Sequence, residues 1–186
     1  MSLQKIKNAD LQNRDNIMNY IIEHRERQKF LALVRTFPNE TVSDYVNHSI
    51  PDFWTECYER NLIAPMQALL REGKRNIYGL CSSLKDSETH FNYGIGVLID
   101  EDTDQTELAR MINNGYSIWE TEPMDYAVFK CFGSDSNCLG ETWSKFFNEF
   151  IPETGYVHTD DTDYEMYFEN GEKDLFCELW IPVKKN

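Results

Sequence analysis

From residue 29 onward, the hydrophobic positions of the chain alternate between strand-like and helix-like patterns. Residues 30–37 form an apolar run that a Pro-Asn pair closes, which predicts a strand. Ser49 stands three residues before Asp52, a capping-box pattern, and apolar residues at helical spacing follow, so a helix is expected there. Residues 77–84 and 91–99 are predicted to be strands. The first half is therefore a strand, helix, strand, strand unit.

The same order of elements recurs in the second half of the chain. A strand is predicted over 126–132, a helix carries Trp143, and two strands follow over 163–169 and 175–183. Trp54 of the first predicted helix aligns with Trp143 of the second, and both lie at core spacing. The order of elements, more than sequence identity, indicates an internal duplication.

Two such units predict an α+β fold, in which two pseudo-symmetric βαββ repeats form an antiparallel sheet with helices on one face and a ligand groove on the other. Repeat one covers about residues 29–100 and repeat two about 116–186, within one domain over 29–186. Residues 8–28 are polar with a sparse apolar stripe, which predicts an amphipathic helix. Residues 1–28 are therefore expected to be an N-terminal helical arm.

The charge of the chain narrows its possible partners. The 186 residues carry a formal net charge of −14, which repels phosphate backbones and attracts small cations. Direct nucleic-acid binding is therefore not expected. The apolar runs are far shorter than the roughly 20 residues that span a bilayer. The first residues also lack a signal-peptide pattern, so we expect a cytoplasmic protein without a membrane partner.

The cysteine, histidine and acidic patterns indicate no metal site. Five cysteines without a C-x-x-C pair give neither a disulfide framework nor a zinc site, and the four histidines lie far apart. Acidic runs at 100–104 and 161–165 imitate the start of a calcium loop but lack its glycine, so we interpret them as solvated loop charge. Nucleotide-binding motifs are also absent from the sequence. We expect neither a metal nor a cofactor.

The last predicted strand suggests a ligand-binding face. Its period of two places Phe176, Glu178 and Trp180 on one face and an apolar set on the other. A carboxylate between two aromatic rings is costly if it is buried without a partner. A cationic ligand would compensate Glu178, and so would an internal arginine, lysine or tyrosine. Alternatively, Glu178 is simply exposed on a half-solvated strand.

The corresponding strand of the first half carries two glycines on the equivalent face. Gly94 aligns with Glu178 and Gly96 with Trp180, and glycine inside a strand leaves room for a ligand or for another backbone. A bulge or tight packing is the alternative explanation. Trp119 and Tyr78 are further aromatic candidates for the wall of the groove, although each such residue is more often a core position than a ligand contact. The predicted ligand-binding set is listed here: Tyr78, Gly94, Gly96, Trp119, Phe176, Glu178 and Trp180.

An ordered series of short motifs resembles the gyrase-inhibitor-like (GyrI-like) family, the effector-binding domain of AraC-type and MerR-type transcription regulators. The series comprises Ile50-Pro-Asp-Phe-Trp, Tyr78-Gly, Tyr93-Gly-Ile-Gly-Val, Tyr126-Ala-Val-Phe, Trp143, Gly155-Tyr156, Tyr164-Glu-Met-Tyr167 and Glu178-Leu-Trp-Ile-Pro-Val-Lys. The resemblance implies a duplicated α+β fold that binds small aromatic or cationic molecules between the repeats, with an acidic residue deep in the pocket. We carry that acid onto Glu178.

Three functions follow from the resemblance and the charge. The first is a stand-alone effector-binding domain, a sensor of the kind found in transcription regulators with multidrug binding, or a sequestering protein. The second is a small-molecule hydrolase in which Glu178 is the general base and Tyr167 or Tyr78 assists it. The third is an acidic inhibitor of gyrase that mimics DNA through residues 100–107 and 160–165. A separate transcription factor or gyrase is accordingly a possible partner, and the sequence fixes no oligomeric state.

Overall fold

A nine-stranded antiparallel sheet organises the part of the chain that the computed structural model describes, which is residues 19–39, 49–84 and 86–186. The strands are β1 Tyr20–Arg25, β2 Lys29–Pro38, β3 Ile77–Ser83, β4 His90–Ile99, β5 Ser117–Glu120, β6 Met124–Phe132, β7 Tyr156–His158, β8 Asp163–Tyr167 and β9 Leu175–Lys185. The helices are α1 Ile50–Glu59, α2 Ala64–Gln67, α3 Gln105–Asn113, α4 Asn137–Lys145, a π-helical turn Phe146–Phe150 and α5 Ile151–Thr154. The α+β fold class predicted from the sequence is confirmed.

The sheet order displays the duplication. The strands follow the order β1-β6-β9-β8-β3-β4-β2-β5, with β7 on β9, so the two repeats meet where β3 pairs with β8. At this seam Gly79 lies directly opposite Glu165. The edge strands are exchanged between the repeats, since β1 precedes repeat one but pairs with β6 of repeat two, and β5 begins repeat two but pairs with β2 of repeat one.

Local sequence signals account for the start of α1. The Ser49 side chain accepts a hydrogen bond from the Asp52 backbone N–H at 3.2 Å, and the Asp52 carboxylate accepts one from the Ser49 N–H at 3.1 Å. This reciprocal arrangement is the predicted capping box, and an N-cap of this type contributes about 1 kcal/mol. The cap fixes the position from which α1 runs over the sheet.

The helix predicted over residues 8–28 is wrong for Tyr20–Arg25, which form strand β1. Two adjacent isoleucines favour an extended chain, and β1 pairs along its whole length with β6. His24 Nδ1 also lies 2.8 Å from an Asp125 carboxylate oxygen on β6. These backbone pairs outweigh the weak helical periodicity. Residues 1–18 of the predicted arm lie outside the described residues.

Buried side chains form three clusters, two on the helix face of the sheet and one on the opposite face. The first packs repeat one under α1 and α3, and the second packs repeat two under α4 and the π-helical turn. The third contains Phe30, Ala32, Tyr78, Leu80, Trp119, Tyr126, Val128, Tyr164 and Trp180. The opposite face therefore has its own dense aromatic packing. Among the described helices, none has the length and apolar content to cross a bilayer.

The two acidic runs differ in the structure. In the first, Asp100 forms an ion pair with Lys74 at 2.7 Å, and the Asp104 side chain caps α3. In the second, Asp163 and Glu165 belong to strand β8 and are only partly exposed. The interpretation of the second run as solvated loop charge is therefore wrong for these two residues.

Candidate functional site

Most residues of the predicted ligand-binding set lie on the sheet face away from the helices, as period two predicts. Trp180 stacks on Tyr164 at 5.4 Å and 15° inside the third cluster. Trp119 lies over Gly94, where an added Cβ would be 3.1 Å from its ring, and an added Cβ at Gly96 would crowd the Leu31 carbonyl oxygen at 2.6 Å. The two glycines therefore accommodate a ring and a neighbouring backbone.

Glu178 has internal partners that compensate its charge. The Trp180 indole N–H donates to Glu178 Oε2 at 3.2 Å, and the Arg25 guanidinium lies 4.4 Å from the centre of the Trp180 ring. Partial burial raises the pKa of Glu178, whereas the Trp180 hydrogen bond and the charges of Lys130 and Arg25 oppose that shift. Glu178 borders a groove of about 580 Å³ at the β1 edge of the sheet, together with Tyr20.

Phe176 does not share the face of Trp180, contrary to the period-two prediction. The pairing of β6 with β9 shifts register between Cys131 and Phe132, so Phe132 pairs with Leu175. Such a bulge interrupts the alternation of side chains. The Phe176 ring consequently packs edge-on against Tyr167 at 5.6 Å, on the helix face of the sheet.

A cavity of about 420 Å³ lies on this helix face, between the two repeats. Helix α1 and the start of α4 form its sides, and strands β4, β8 and β9 form its floor. The lining residues are Ile50, Pro51, Trp54, Tyr58, Tyr93, Ser136, Leu139, Glu165, Tyr167 and Phe176. Five of these carry aromatic rings, and Glu165 is the acid among them. The volume lies within the range of sites for small organic molecules.

A hydrogen-bond chain holds Glu165 in the cavity floor. The Trp54 indole N–H donates to the Tyr93 hydroxyl at 3.0 Å, and that hydroxyl donates to Glu165 Oε2 at 2.7 Å. The Tyr167 hydroxyl donates to the same oxygen at 3.0 Å. Within the described residues, Glu165 Oε1 receives no hydrogen bond. One carboxylate oxygen is therefore fixed by two tyrosines, and the other is available to a ligand.

The electrostatic state of Glu165 distinguishes it from Glu178. Burial raises the pKa of Glu165, and the hydrogen bonds from Tyr93 and Tyr167 oppose the shift. No lysine, arginine or histidine of the described residues forms an ion pair with it, so its charge has no cationic partner. Burial and the neighbouring Glu165 carboxylate raise the pKa of Tyr93 well above its ordinary value, so Tyr93 remains a neutral donor. No set of three or more metal-ligating side chains occurs in the described ranges.

The hydrogen-bonded side chains of Tyr93 and Glu165 pack directly over Gly79, which has no side chain to obstruct them. A Cβ at Gly79 would stand well inside 3.0 Å of both the Tyr93 hydroxyl and Glu165 Oε2. Any residue larger than glycine at this position would therefore displace Tyr93 and Glu165. Because Gly79 is the strand partner of Glu165 across the seam, one repeat supplies the acid and the other supplies bare backbone.

The helices of the two repeats carry matching aromatic pairs. Trp54 stacks on Tyr58 at 6.0 Å and 27°, and Trp143 stacks on Phe147 at 5.8 Å and 19°. Only the first pair lines the cavity with the acid. The cavity is therefore asymmetric: of the two matching aromatic pairs, only the pair from repeat one lines it.

Glu165 was not among the ligand-binding residues predicted from the sequence, although it belongs to the second acidic run and to the Tyr164-Glu-Met-Tyr167 motif. A signal was available, because alternation in β8 places Asp163, Glu165 and Tyr167 together on the face that packs against helices. In β9 the equivalent face is uniformly apolar. Polar residues on the inward face of a central strand indicate a site better than an acid on the outward face does.

Comparisons with known proteins identify a family model that matches the chain and solved structures with a similar fold. The sequence model of the GyrI-like small molecule binding domain matches residues 18–184. The fold is similar to that of SAV2435, solved bound to tetraphenylphosphonium, with a TM-score of 0.71 and 20% identity over 90% of this chain and 94% of that one. No curated protein sequence matches the chain.

Two further solved structures share the fold. A putative bacterial transcription regulation protein from Staphylococcus aureus has a TM-score of 0.68 and 19% identity, over 90% of this chain and 99% of that one. An integron cassette protein from Vibrio cholerae has a TM-score of 0.59 and 15% identity, over 89% of this chain and 95% of that one. Since the family model covers most of the sequence, the chain belongs to the GyrI-like small molecule binding domain family.

Proposed function

We propose that this chain binds hydrophobic aromatic cations in the helix-face cavity, with Glu165 as the charge partner, and that it acts as a sensor or a sequestering protein for them. The observation that carries the proposal is an acid in an aromatic cavity whose charge has no cationic partner within the described residues. Membership of a small molecule binding family supports a small molecule as the ligand.

The charge argument favours a cation over a neutral ligand. Burial disfavours the ionised carboxylate, so a cation that enters the cavity gains both its own attraction to Glu165 and relief of that cost. Two tyrosine hydroxyls already hold Oε2, so little reorganisation is needed when a cation approaches Oε1. The net charge of −14 also increases the local concentration of cations.

The aromatic walls supply the remaining affinity. Trp54, Tyr58 and Phe176 border the cavity from α1 and β9. Cation–π contacts contribute about 0.5 to 2 kcal/mol each, so two or three of them supply about 1–6 kcal/mol of the roughly 8 kcal/mol of micromolar binding, and the acid adds to this. The site therefore needs no covalent step to hold its ligand.

Isothermal titration calorimetry with tetraphenylphosphonium tests the proposal. This probe is chosen because a protein of similar fold was solved with it. Triphenylphosphine oxide is the neutral control, since it keeps three of the four phenyl rings on phosphorus and lacks the charge. The protein variants are Glu165→Gln and Glu178→Gln, which remove one carboxylate each on opposite faces of the sheet.

Glu165→Gln is expected to weaken the phosphonium by about 30- to 1,000-fold, equivalent to about 2–4 kcal/mol. Glu178→Gln is expected to leave its affinity within about threefold, because Glu178 lies in a different groove. The neutral control should bind weakly to all three proteins. Loss of binding in Glu178→Gln alone would instead locate the ligand in the groove predicted from the sequence. Absence of phosphonium binding to the wild type would refute the proposed function.

A further inference from the structure

Two cysteines face each other across strands β6 and β9. Cys131 of β6 is the register partner of Cys177 of β9, and both side chains lie on the helix face of the sheet, in the second buried cluster. Directly opposite residues of an antiparallel pair have Cα atoms about 4.5–5.5 Å apart, and a disulfide needs about 4.4–6.8 Å. The backbone therefore already holds these two cysteines at a separation that a disulfide accepts.

The strands beside this pair have room to adjust. A disulfide holds its Cβ atoms about 3.5–4.5 Å apart, slightly closer than the roughly 4.5–5.5 Å of opposite residues in a sheet. The register of β6 on β9 shifts between Cys131 and Phe132, so the regular ladder is interrupted directly next to the pair. The two strands can therefore approach each other at this point without the loss of a regular pair on that side.

The two thiols differ in their acidity. The hydrogen-bonding interaction with Cys177 lowers the pKa of Cys131, although burial opposes this shift, and the same interaction raises the pKa of Cys177. The thiolate is the nucleophilic form of cysteine. Cys131 is therefore the sulfur that reacts first with an oxidant, and Cys177 is the neighbour that can react with the product.

Only a thin layer separates the pair from solvent. Cys131 Sγ lies 3.3 Å from Thr142 Oγ1 of α4, and Thr142 borders the groove of about 580 Å³ at the β1 edge. Residues 132–137, which follow Cys131 and lead into α4, are exposed. A small oxidant that enters the groove is therefore one side chain away from the Cys131 sulfur.

We propose that Cys131 and Cys177 are a thiol modification site, which a peroxide converts reversibly into an intramolecular disulfide between β6 and β9. Cys177 follows Phe176 in the sequence, so the bond forms directly beside a residue that lines the helix-face cavity. The site is independent of the proposed function, because its chemistry requires no bound ligand.

The reaction consumes one peroxide for each disulfide. The Cys131 thiolate attacks one peroxide oxygen, the O–O bond breaks, and hydroxide leaves with the electron pair, so Cys131 becomes a sulfenic acid. The Cys177 sulfur then attacks the Cys131 sulfur, the S–OH bond breaks, and the leaving oxygen takes the Cys177 proton as water. The two thiols lose two electrons and two protons in total, and hydrogen peroxide is reduced to two molecules of water.

Peroxide treatment of the folded protein tests the proposal. The wild type is exposed to hydrogen peroxide, its remaining thiols are alkylated in denaturant, and intact mass and peptide mapping without reductant follow. The variants are Cys131→Ala and Cys177→Ala, with Cys57→Ala and Cys138→Ala as controls. Cys57 is as deeply buried as Cys177 but lies in the cluster of repeat one, and Cys138 lies near Cys131 at the start of α4.

Two of the five thiols of the wild type should become resistant to alkylation, with the mass loss of two hydrogens and a Cys131–Cys177 linked peptide. Dithiothreitol should restore both thiols. Cys131→Ala and Cys177→Ala should each lose the linkage, and Cys57→Ala and Cys138→Ala should retain it. Mapping of the wild type identifies the linked pair directly, even where a variant fails to fold.

Three results would overturn the proposal. The first is five alkylatable thiols in the folded wild type together with oxidation of the urea-unfolded chain, which would make the pair inert core residues. The second is a linkage that includes Cys138 or joins two chains. The third is conversion of Cys131 to a sulfinic acid that dithiothreitol does not reverse, which would mean that Cys177 does not reach the oxidised sulfur.

Discussion

Substitution of Gly79 by alanine tests whether the Tyr93–Glu165 network is what prepares the cavity for a ligand. An added Cβ would overlap the Tyr93 hydroxyl and Glu165 Oε2 and lie 3.0 Å from the Tyr93 Cζ atom. The strand backbone of Gly79 is held on both sides by β4 and β8, so the side chains have to move. Ordinary packing distances require a displacement of roughly 1 Å. The hydrogen bond of 2.7 Å between Tyr93 and Glu165 cannot survive that displacement in its present geometry.

The expected loss follows from the strength of that bond. A hydrogen bond to a charged acceptor contributes about 1.5–3 kcal/mol, so a cation that depends on the placed carboxylate should lose about 2–3 kcal/mol, or about 30- to 150-fold in affinity. Crowding a packed site costs about 1–3 kcal/mol of stability, which a domain with an ordinary stability of about 5–15 kcal/mol tolerates. Gly79→Ala is therefore expected to fold and to bind poorly.

The assay is calorimetric titration of an aromatic cation into Gly79→Ala, with Gly140→Ala as the matched control. An added Cβ at Gly140 meets no atom within 4 Å, and the residue lies in α4, so alanine should stabilise the helix by about 0.5–1 kcal/mol and leave binding unchanged. Tyr93→Phe removes the hydroxyl that the new Cβ would meet. In that background, Gly79→Ala should cost measurably less affinity.

Two results would refute this reasoning. The first is wild-type affinity in Gly79→Ala, which would mean that the network does not prepare the site. The second is an identical loss in the presence and absence of the Tyr93 hydroxyl, because the effect would then not depend on the hydrogen bond between Tyr93 and Glu165.

Three further predictions concern strand β8 and the cavity to which it supplies Glu165. The pKa of Asp163 is 3.8 in the unfolded chain and about 8 in the folded chain, so the free energy of unfolding falls as pH rises between these values, by at most about 6 kcal/mol. Asp163→Asn should abolish this fall, as measured by urea titration at several pH values, and an unchanged pH dependence would contradict the prediction. Tyr167→Phe removes a hydrogen bond that lowers the pKa of Glu165, so the pH midpoint of cation binding should move upward, and an unmoved midpoint would count against the role of the hydroxyl. Because Trp54 lines the cavity and Trp143 does not, Trp54→Phe should remove most ligand-induced quenching of tryptophan fluorescence and Trp143→Phe should not; the reverse pattern would place the ligand against α4.

The sequence predicts the fold well because its strongest signals are local. The Ser49 and Asp52 capping box, the aligned Trp54 and Trp143, and the repeated order of strands each depend on a few neighbouring residues. These signals recur in both halves and agree with one another. Consistency across a duplicated chain is a strong constraint on the fold.

The sequence does not predict the site because the site depends on how distant segments meet. The bulge opposite Phe132 moves Phe176 to the helix face, and no residue type in β9 predicts a bulge at that position. Gly79 receives the Tyr93–Glu165 pair only because β3 and β8 join the two repeats. Conversely, Glu178 looks unpaired in the sequence, yet Trp180 of the same strand donates a hydrogen bond to it, and Arg25 of β1 lies over the Trp180 ring because β6 pairs with both β9 and β1.

The pairing of β1 explains a further difference. Residues 20–25 carry weak helical periodicity, which a local reading favours. In the structure, six consecutive cross-strand pairs with β6 decide the conformation. The Arg25 side chain that compensates the Glu178 region comes from this strand, so the assignment of β1 and the assignment of the acid depend on each other.

The most direct test of the account compares Glu165→Gln with Glu178→Gln in calorimetric titration of an aromatic cation. The two substitutions are chemically identical and lie on opposite faces of the sheet, so general electrostatic effects are matched. Glu165→Gln is expected to bind the cation about 30-fold or more weakly than the wild type, and Glu178→Gln within about threefold of it. Equal losses, or a loss confined to Glu178→Gln, would contradict the assignment of the site to the helix-face cavity.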